Sequence, residues 1–455
     1  MSDYNFLMES RLSPEQFQVL THLARLAHAQ AMNLYLVGGA VRDLTYGQQV
    51  IHDLDFAVEG NPQKILRRLN AKPRGGEPAT INTASLRLDT KLNGAEVSFT
   101  NGVRAEIAMA RNEIYAKPGR RPQIFPATIF EDLKRRDFSV NAMAVSLHPN
   151  SRGLLLDPTN GAADIEKHEL RSLHSRSFLE DPSRLYRLLR LGLRLDFKPE
   201  ERTKIWMDTA FQNRATERLD PEQQGRELRA ILQEEHSGRV LKLLANRGLL
   251  AGLDRKLAAA KLPYEPFAKI RSTMHTVPGG ADAFFLNFHC LVAKLGGGQK
   301  NRLAKKIIAE RKTIKIALGL ESAARKLARV LASAKAALPS QVYTLLSGQP
   351  QPLLLFLLVN YPQAKIQTRV KSFLFKYPLI RAKVPRAELL TLGLEAGPKF
   401  ERIVRQLFLD ELDGKITTHQ QLLKEFRARA GLKEPPAKPP TKPHAPKPAH
   451  AGKKK

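Results

Sequence analysis

Residues 36–60 read LVGGAVRDLTYGQQVIHDLDFAVEG. The apolar run 34–37 is short enough for a buried strand. Gly38 and Gly39 end it and leave bare backbone N–H groups at the start of a short helix over residues 40–44. A helix N-terminus that a ligand can approach closely holds phosphate, and Arg42 adds a fixed positive charge beside it. Residues 54–58 read as a second strand. Because strand side chains alternate faces, Asp53 and Asp55 point the same way. Two convergent carboxylates next to a phosphate-holding turn form a site for Mg²⁺ and a nucleoside triphosphate. Metal held there lowers the pKa of an attacking hydroxyl and stabilises the leaving pyrophosphate. An Asp-x-Asp pair alone is often a solvated strand end; its place after GGAVRD gives it meaning.

GGAVRD followed by DLDFAVEG resembles the class II tRNA nucleotidyltransferase and bacterial poly(A) polymerase family. The resemblance implies that Asp53 and Asp55 bind the catalytic metals. It also places Gly38, Gly39, Arg42 and Asp43 in the turn that holds the triphosphate.

The composition agrees with a polyanionic partner. The 455 residues carry 74 Lys plus Arg against 44 Asp plus Glu, a formal net charge of +30, which points first to nucleic acid and second to an anionic membrane. The tail from Pro435 contributes only Lys438, Lys442, Lys447 and Lys453 to Lys455, so most of the excess belongs to the folded part. No apolar run reaches the length of a membrane span. The N-terminus lacks the pattern of a secretory signal. The single cysteine, Cys290, excludes an intramolecular disulfide and a cysteine-based zinc site. These features predict a cytoplasmic protein.

Taken in order, residues 14–32 carry apolar side chains at helical spacing and are expected to pack on the back of the sheet. Residues 85–88 and 96–100 read as strands around Asn93-Gly94, a hairpin turn signal. Residues 103–110 form another strand, with Glu106 on the face away from the core. Glu106 is either a surface carboxylate or, as the resemblance implies, a third acidic residue near the metals. Residues 115–130, with three prolines and Arg120-Arg121, predict a mobile loop; the resemblance implies that it helps decide which nucleotide is added.

RRDFSVNAMA matches the family's ribose-contacting motif at Arg135, Arg136, Asp137, Asn141 and Ala142. Two arginines can contact a triphosphate and a carboxylate can accept a ribose hydroxyl proton. Asp157-Pro158 and Asn160-Gly161 mark turns, with a helix starting near Ala163. Asp181-Pro182 then opens a helix, Asp as cap and Pro in the first turn, with Leu185, Leu188, Leu189 and Leu193 as its apolar face. Glu180, Asp181 and Arg184 match the family's EDxxR pattern. That match implies that Asp181 and Arg184 hydrogen-bond the incoming base in place of a template. A carboxylate accepts from the exocyclic amine of cytosine or adenine and Arg donates to a ring nitrogen or carbonyl. Arg187, Arg190 and Arg194 follow on the same helix, where each faces either RNA phosphate or solvent.

The family has an Arg directly after a Glu in the helix that braces the neck. Here the stretch reads Glu222-Gln223-Gln224-Gly225-Arg226, with the Arg displaced and a Gly in the way. Residues 231–430 read as helices, and residues 300–315 combine dense Lys and Arg with an apolar stripe. Gly296-Gly297-Gly298-Gln299-Lys300 is no P-loop, since Asn301 replaces the metal-binding hydroxyl residue. His52-Asp53 lacks the supporting histidines of a metal phosphohydrolase.

The predicted architecture is α+β. A nucleotidyltransferase-type mixed-sheet head (1–150) precedes a helical neck with the base-recognition motif (151–235), a helical RNA-binding body (236–432) and a disordered basic Pro/Lys-rich tail (433–455). The resemblance implies template-independent addition of CMP, CMP and AMP to the 3′ end of tRNA, from CTP and ATP, with Mg²⁺ as cofactor and no membrane partner. An enzyme adding only A or only CC, and a poly(A) polymerase, would keep the same motifs. A catalytically inactive RNA-binding protein is the reading from another class.

Overall fold

A computed structural model describes residues 3–52, 54–69, 81–89, 93–258, 262–277 and 281–432. The predicted tail lies outside the described residues. Two units make up the chain: residues 1–274 with 282–319, and residues 275–281 with 320–455. The expected boundaries near 150 and 235 both fall within the first unit. No helix among the described residues is long and apolar enough to cross a membrane.

The first unit is built on a sheet of seven strands. In chain order these are β1 (Leu34–Val37), β2 (Leu54–Val58), β3 (Thr83–Asp89), β4 (Gly94–Phe99), β5 (Arg104–Met109), β8 (Ala144–Ser146) and β9 (Leu155–Leu156), lying in the order β3-β4-β5-β2-β1-β8-β9. Strands β6 (Arg111–Ile114) and β7 (Gln123–Pro126) form a separate hairpin. Only β2 and β5 run parallel among neighbours in the large sheet. All four residues of β1 are buried, as a central strand covered on both faces requires.

The two faces have different tasks. Leu34 and Leu36 of β1, Leu54, Phe56 and Val58 of β2, and Ala105 and Ile107 of β5 join the large core. Helix α2 (Pro14–His28) covers them with Val19, Leu20 and Leu23. Ser13 and Gln16 close a capping box at its start, with Pro14 in the first turn. On the opposite face Tyr35, Val37 and Ala57 meet Ile129 and Leu133 of α5 (Ile129–Lys134). Asp55 and Glu106 belong to this second face by alternation.

Of the expected loop, residues 115–122 form the connection of the β6–β7 hairpin, while residues 123–130 supply β7 and begin α5, whose N-terminus is closed by a Thr128–Glu131 capping box. The hairpin tip is tied down: Gly119 N–H donates to the Glu180 carbonyl at 3.0 Å and the Asp220 N–H donates to the Gly119 carbonyl at 3.0 Å. Gly119 has φ +73, and a Cβ there would lie 2.4 Å from the Arg218 carbonyl oxygen, so only glycine fits.

Beyond the sheet, α6 (Gly161–Glu166) is capped by Asp157, whose carboxylate accepts from the N–H groups of Gly161 and Ala162 at 2.7 and 3.0 Å. Helix α8 (Ser183–Leu195) buries Leu185, Tyr186, Leu188, Leu191 and Leu195. Its inward face is therefore rotated from the expected one: Leu189 and Leu193 are only half-buried. Helix α10 (Pro221–Gln233) explains the intruding glycine. A Cβ on Gly225 would sit 1.9 Å from the carbonyl oxygen of Lys306, so the backbone of α14 (Gly297–Ile307) lies directly on α10. The expected helix through residues 300–315 is broken, because Ile308 takes an extended conformation and the next helix is α15 (Arg311–Ala332). Cys290 is buried in α13 (Phe284–Val292).

The second unit is helical. Helix α17 (Gln351–Asn360) buries seven consecutive apolar residues, Leu353 to Val359. Tyr343 and Phe408 meet edge to face at 4.9 Å, and Phe400 packs on Phe426. Buried Asp410 is paired with Arg429 at 2.7 Å.

Candidate active site

The site begins where β1 ends. Gly38 has φ +70 and ψ −132 and stands as N-cap of α3 (Gly39–Tyr46), a conformation side-chain-bearing residues avoid. A Cβ on Gly38 would lie 3.1 Å from Arg136 Nη1 and 3.6 Å from Asp55 Oδ2. The missing side chain thus leaves a space bordered by a guanidinium, a carboxylate and the N-terminus of α3.

Register fixes the acidic row. Asp55 stands opposite Val37 of β1 on one side and Glu106 of β5 on the other, and Glu106 stands opposite Glu96 of β4. Directly paired residues share a face, so Asp55 and Glu106 are neighbours on the α5 side of the sheet. Glu106 is exposed to solvent. Desolvation by the surrounding protein still raises its carboxyl above the usual range; Glu96 and Asp89 add to the rise, and Arg111 and Arg136 oppose it. Asp53 lies outside the described residues. Among the described residues, no three His, Cys, Asp or Glu side chains cluster closely enough to hold a metal. The carboxylates of Asp55 and Glu106 are hard oxygen donors. They suit Mg²⁺, which takes one or two protein carboxylates and fills its other positions with phosphate oxygens and water.

Helix α5 delivers the arginines. Its first and last turns anchor Ile129 and Leu133 in the second core, so the chain leaves it beside the glycine turn. Asp132, 1% exposed, accepts from Arg135 Nη2 at 2.5 Å, from Arg136 Nη2 at 2.8 Å and from the Arg111 N–H at 3.1 Å. Glu113 takes Arg135 Nη1 at 2.8 Å and Arg111 Nε at 3.0 Å. Burial works to raise the Asp132 carboxyl, but Arg136 and Arg135 outweigh it and bring it down to about 2. Arg135 and Arg136 are therefore rigid, and Arg136 keeps its Nη1 toward Gly38. Neither Asp132 nor Glu113 was singled out in the sequence, although Asp132 stands three and four residues before the arginines, the spacing of neighbours on a helix.

Arg42 and Asp137 are more enclosed than their motifs suggest. Both are buried. Arg42 donates through Nε to Asp43 Oδ1 at 2.8 Å and through Nη1 to Asn141 Oδ1 at 2.7 Å. Asn141 in turn donates to Asp137 Oδ1 at 3.2 Å, which also takes the Phe138 N–H at 2.8 Å, and Arg187 Nη2 lies 3.0 Å from Asp137 Oδ2. A continuous chain Asp43–Arg42–Asn141–Asp137–Arg187 thus connects the glycine turn to α8. Arg190 pairs with Glu234 at 3.0 Å, so Arg187 and Arg190 both serve internal ion pairs.

Asp181 and Arg184, expected to recognise the base, stand at the head of α8. Arg184 is buried; Nη1 donates to Ser177 Oγ at 2.6 Å, Nη2 donates to the Arg135 carbonyl at 2.7 Å, and Nε lies 3.7 Å from Asp181 Oδ2. Asp181 Oδ1 accepts the Ser183 N–H at 3.0 Å, although the N-cap position of α8 falls on Pro182 and not on Asp181 as expected.

A sheet with convergent carboxylates, a glycine turn at a helix N-terminus and a pinned pair of arginines defines the head of a nucleotidyltransferase. Residues 34–171 match the family described as the Poly A polymerase head domain. That match falls on the segment that carries the glycine turn, the carboxylate strand and the arginine pair. The chain is 40% identical over 201 residues to the A-adding tRNA nucleotidyltransferase of Halalkalibacterium halodurans, covering 43% of this chain and 44% of that one. It is 35% identical over 247 residues to the CC-adding tRNA nucleotidyltransferase of Deinococcus radiodurans, covering 54% and 62%. The chain spans about half the length of the curated relatives it matches. A solved CCA-adding enzyme in complex with CTP is 26% identical with a TM-score of 0.51, over 94% of this chain and 98% of that one.

Proposed function

We propose that this protein adds C, C and A to the 3′ end of tRNA without a template, consuming CTP and ATP and releasing pyrophosphate. The observation that carries this reading is the position of Gly38 between Arg136 and Asp55 at the N-terminus of α3. The triphosphate lies there against the backbone N–H groups, and Arg136 offsets its charge. Asp55 and Glu106, with Asp53, are the residues that would hold Mg²⁺, which would polarise the 3′-hydroxyl and screen the leaving pyrophosphate. Asp137 and Asn141 set the ribose side of the site, and Asp181 with Arg184 reads the base. The basic charge of the whole chain attracts tRNA before the end is engaged. A cytoplasmic location is part of the same proposal.

The test uses the purified full chain, Mg²⁺ and each labelled nucleoside triphosphate. Its acceptors are tRNA lacking CCA, tRNA ending in CC, and oligoadenylate. Addition of C, C and A to the first acceptor, stopping there, is the expected result. Addition of A to the second acceptor alone means an A-adding enzyme, and CC on the first alone a CC-adding one. Long A tails on oligoadenylate mean a poly(A) polymerase. Bound tRNA with no incorporation means an inactive RNA-binding protein.

A further inference from the structure

The Asp181 carboxylate is gripped through one oxygen. Besides the Ser183 N–H, Oδ1 accepts from Ser183 Oγ at 2.6 Å and from Gln223 Nε2 at 2.8 Å. Gln223 Nε2 also lies 2.9 Å from Ser183 Oγ, so its two hydrogens serve Asp181 and Ser183. Gln223 is in the first turn of α10, where the Asp220 side chain caps the helix and holds it in place. Three donors saturate Oδ1 and stop the carboxylate from turning. The remaining oxygen, Oδ2, faces Arg184 Nε at 3.7 Å, too long for a hydrogen bond between them. An acceptor beside a donor is the complement of a base with an exocyclic amine next to an unprotonated ring nitrogen. Cytosine and adenine have that edge, whereas uracil and guanine present a carbonyl and an N–H there.

We propose that Gln223 is a positioning residue that determines nucleotide specificity. It locks Asp181 so that Oδ2 alone meets the base. This inference rests on the proposed reading of Asp181 and Arg184.

The experiment measures kcat/KM of the full chain for CTP, ATP, UTP and GTP with the tRNA acceptors above, in the wild type, Gln223→Leu and Gln223→Arg. Leucine keeps the bulk and removes the donor; arginine is longer and restores a donor. Gln223→Leu is expected to lower the preference for CTP and ATP over UTP and GTP by about ten-fold, the effect of one lost hydrogen bond, with Tm little changed. Gln223→Arg is expected to recover most of that preference. Gln223→Leu with an unchanged preference overturns the inference, as does an equal fall for all four nucleotides or a Gln223→Arg variant worse than Gln223→Leu. A wild type that takes up all four nucleotides equally, or none, overturns the reading of the site itself.

Discussion

The Arg184 guanidinium of α8 donates to the main-chain carbonyl of Arg135 at 2.7 Å. One hydrogen bond thus joins the head of α8 to the arginine pair beside the glycine turn. Ser177 Oγ holds the other nitrogen at 2.6 Å. Arg184→Lys keeps the charge and loses the fork that makes both contacts. We expect kcat/KM for CTP and ATP to fall roughly 10- to 100-fold, as loss of a charge-assisted hydrogen bond implies. Steady-state kinetics on tRNA lacking CCA would show it; an effect under two-fold would remove Arg184 from nucleotide selection.

Asp132 supports the same region from below. Its carboxyl is held near 2, below its unfolded value, so it contributes stability above about pH 4 and loses it as pH falls toward 2. Asp132→Asn leaves half-buried Arg136 without its carboxylate and Arg135 with Glu113 alone, and should cost about 3 kcal/mol at pH 7. The gap between variant and wild type should narrow below pH 4. Urea unfolding at pH 7 and at pH 3 tests both statements, and an equal gap at the two values contradicts the assignment.

Two glycines should respond oppositely to alanine. At Gly225 the new methyl meets the Lys306 carbonyl oxygen at 1.9 Å, and separating α10 from α14 should cost about 1–3 kcal/mol. At Gly319, inside α15, nothing among the described residues lies within 4 Å of the added carbon. There alanine should stabilise by up to about 1 kcal/mol. Thermal melts of Gly225→Ala and Gly319→Ala decide the matter by sign.

Asp55→Asn removes a carboxylate charge at the glycine turn and keeps its shape. Incorporation should fall by roughly 10³-fold or more, about 4 kcal/mol of transition-state stabilisation. Because Asp55 is half-buried within a strand rather than on a basic surface, tRNA affinity measured by filter binding should change little. Parallel loss of tRNA binding would mean that the substitution unfolds the head.

The sequence by itself determined the parts that follow from backbone geometry. A glycine pair after an apolar tetrad gave the turn; two-residue alternation put Glu106 off the large core's face; Asp181-Pro182 marked the start of α8. These rules act over a few residues and survive whatever packs around them. Alternation alone could not say that β2 and β5 lie side by side, so the pairing of Asp55 with Glu106 came from the sheet. Tertiary structure also decided which charges are used up. Arg42 and Asp137 are buried in a chain of internal contacts, and Arg187 and Arg190 are spent on Asp137 and Glu234. A segment with three prolines became a pinned hairpin because Glu180 and Asp220 supply partners for Gly119. Gln223 reaches Asp181 from forty-two positions away along the chain. Such contacts depend on which helix lies against which, set by the burial of apolar side chains along their whole lengths, and no local spacing contains that information.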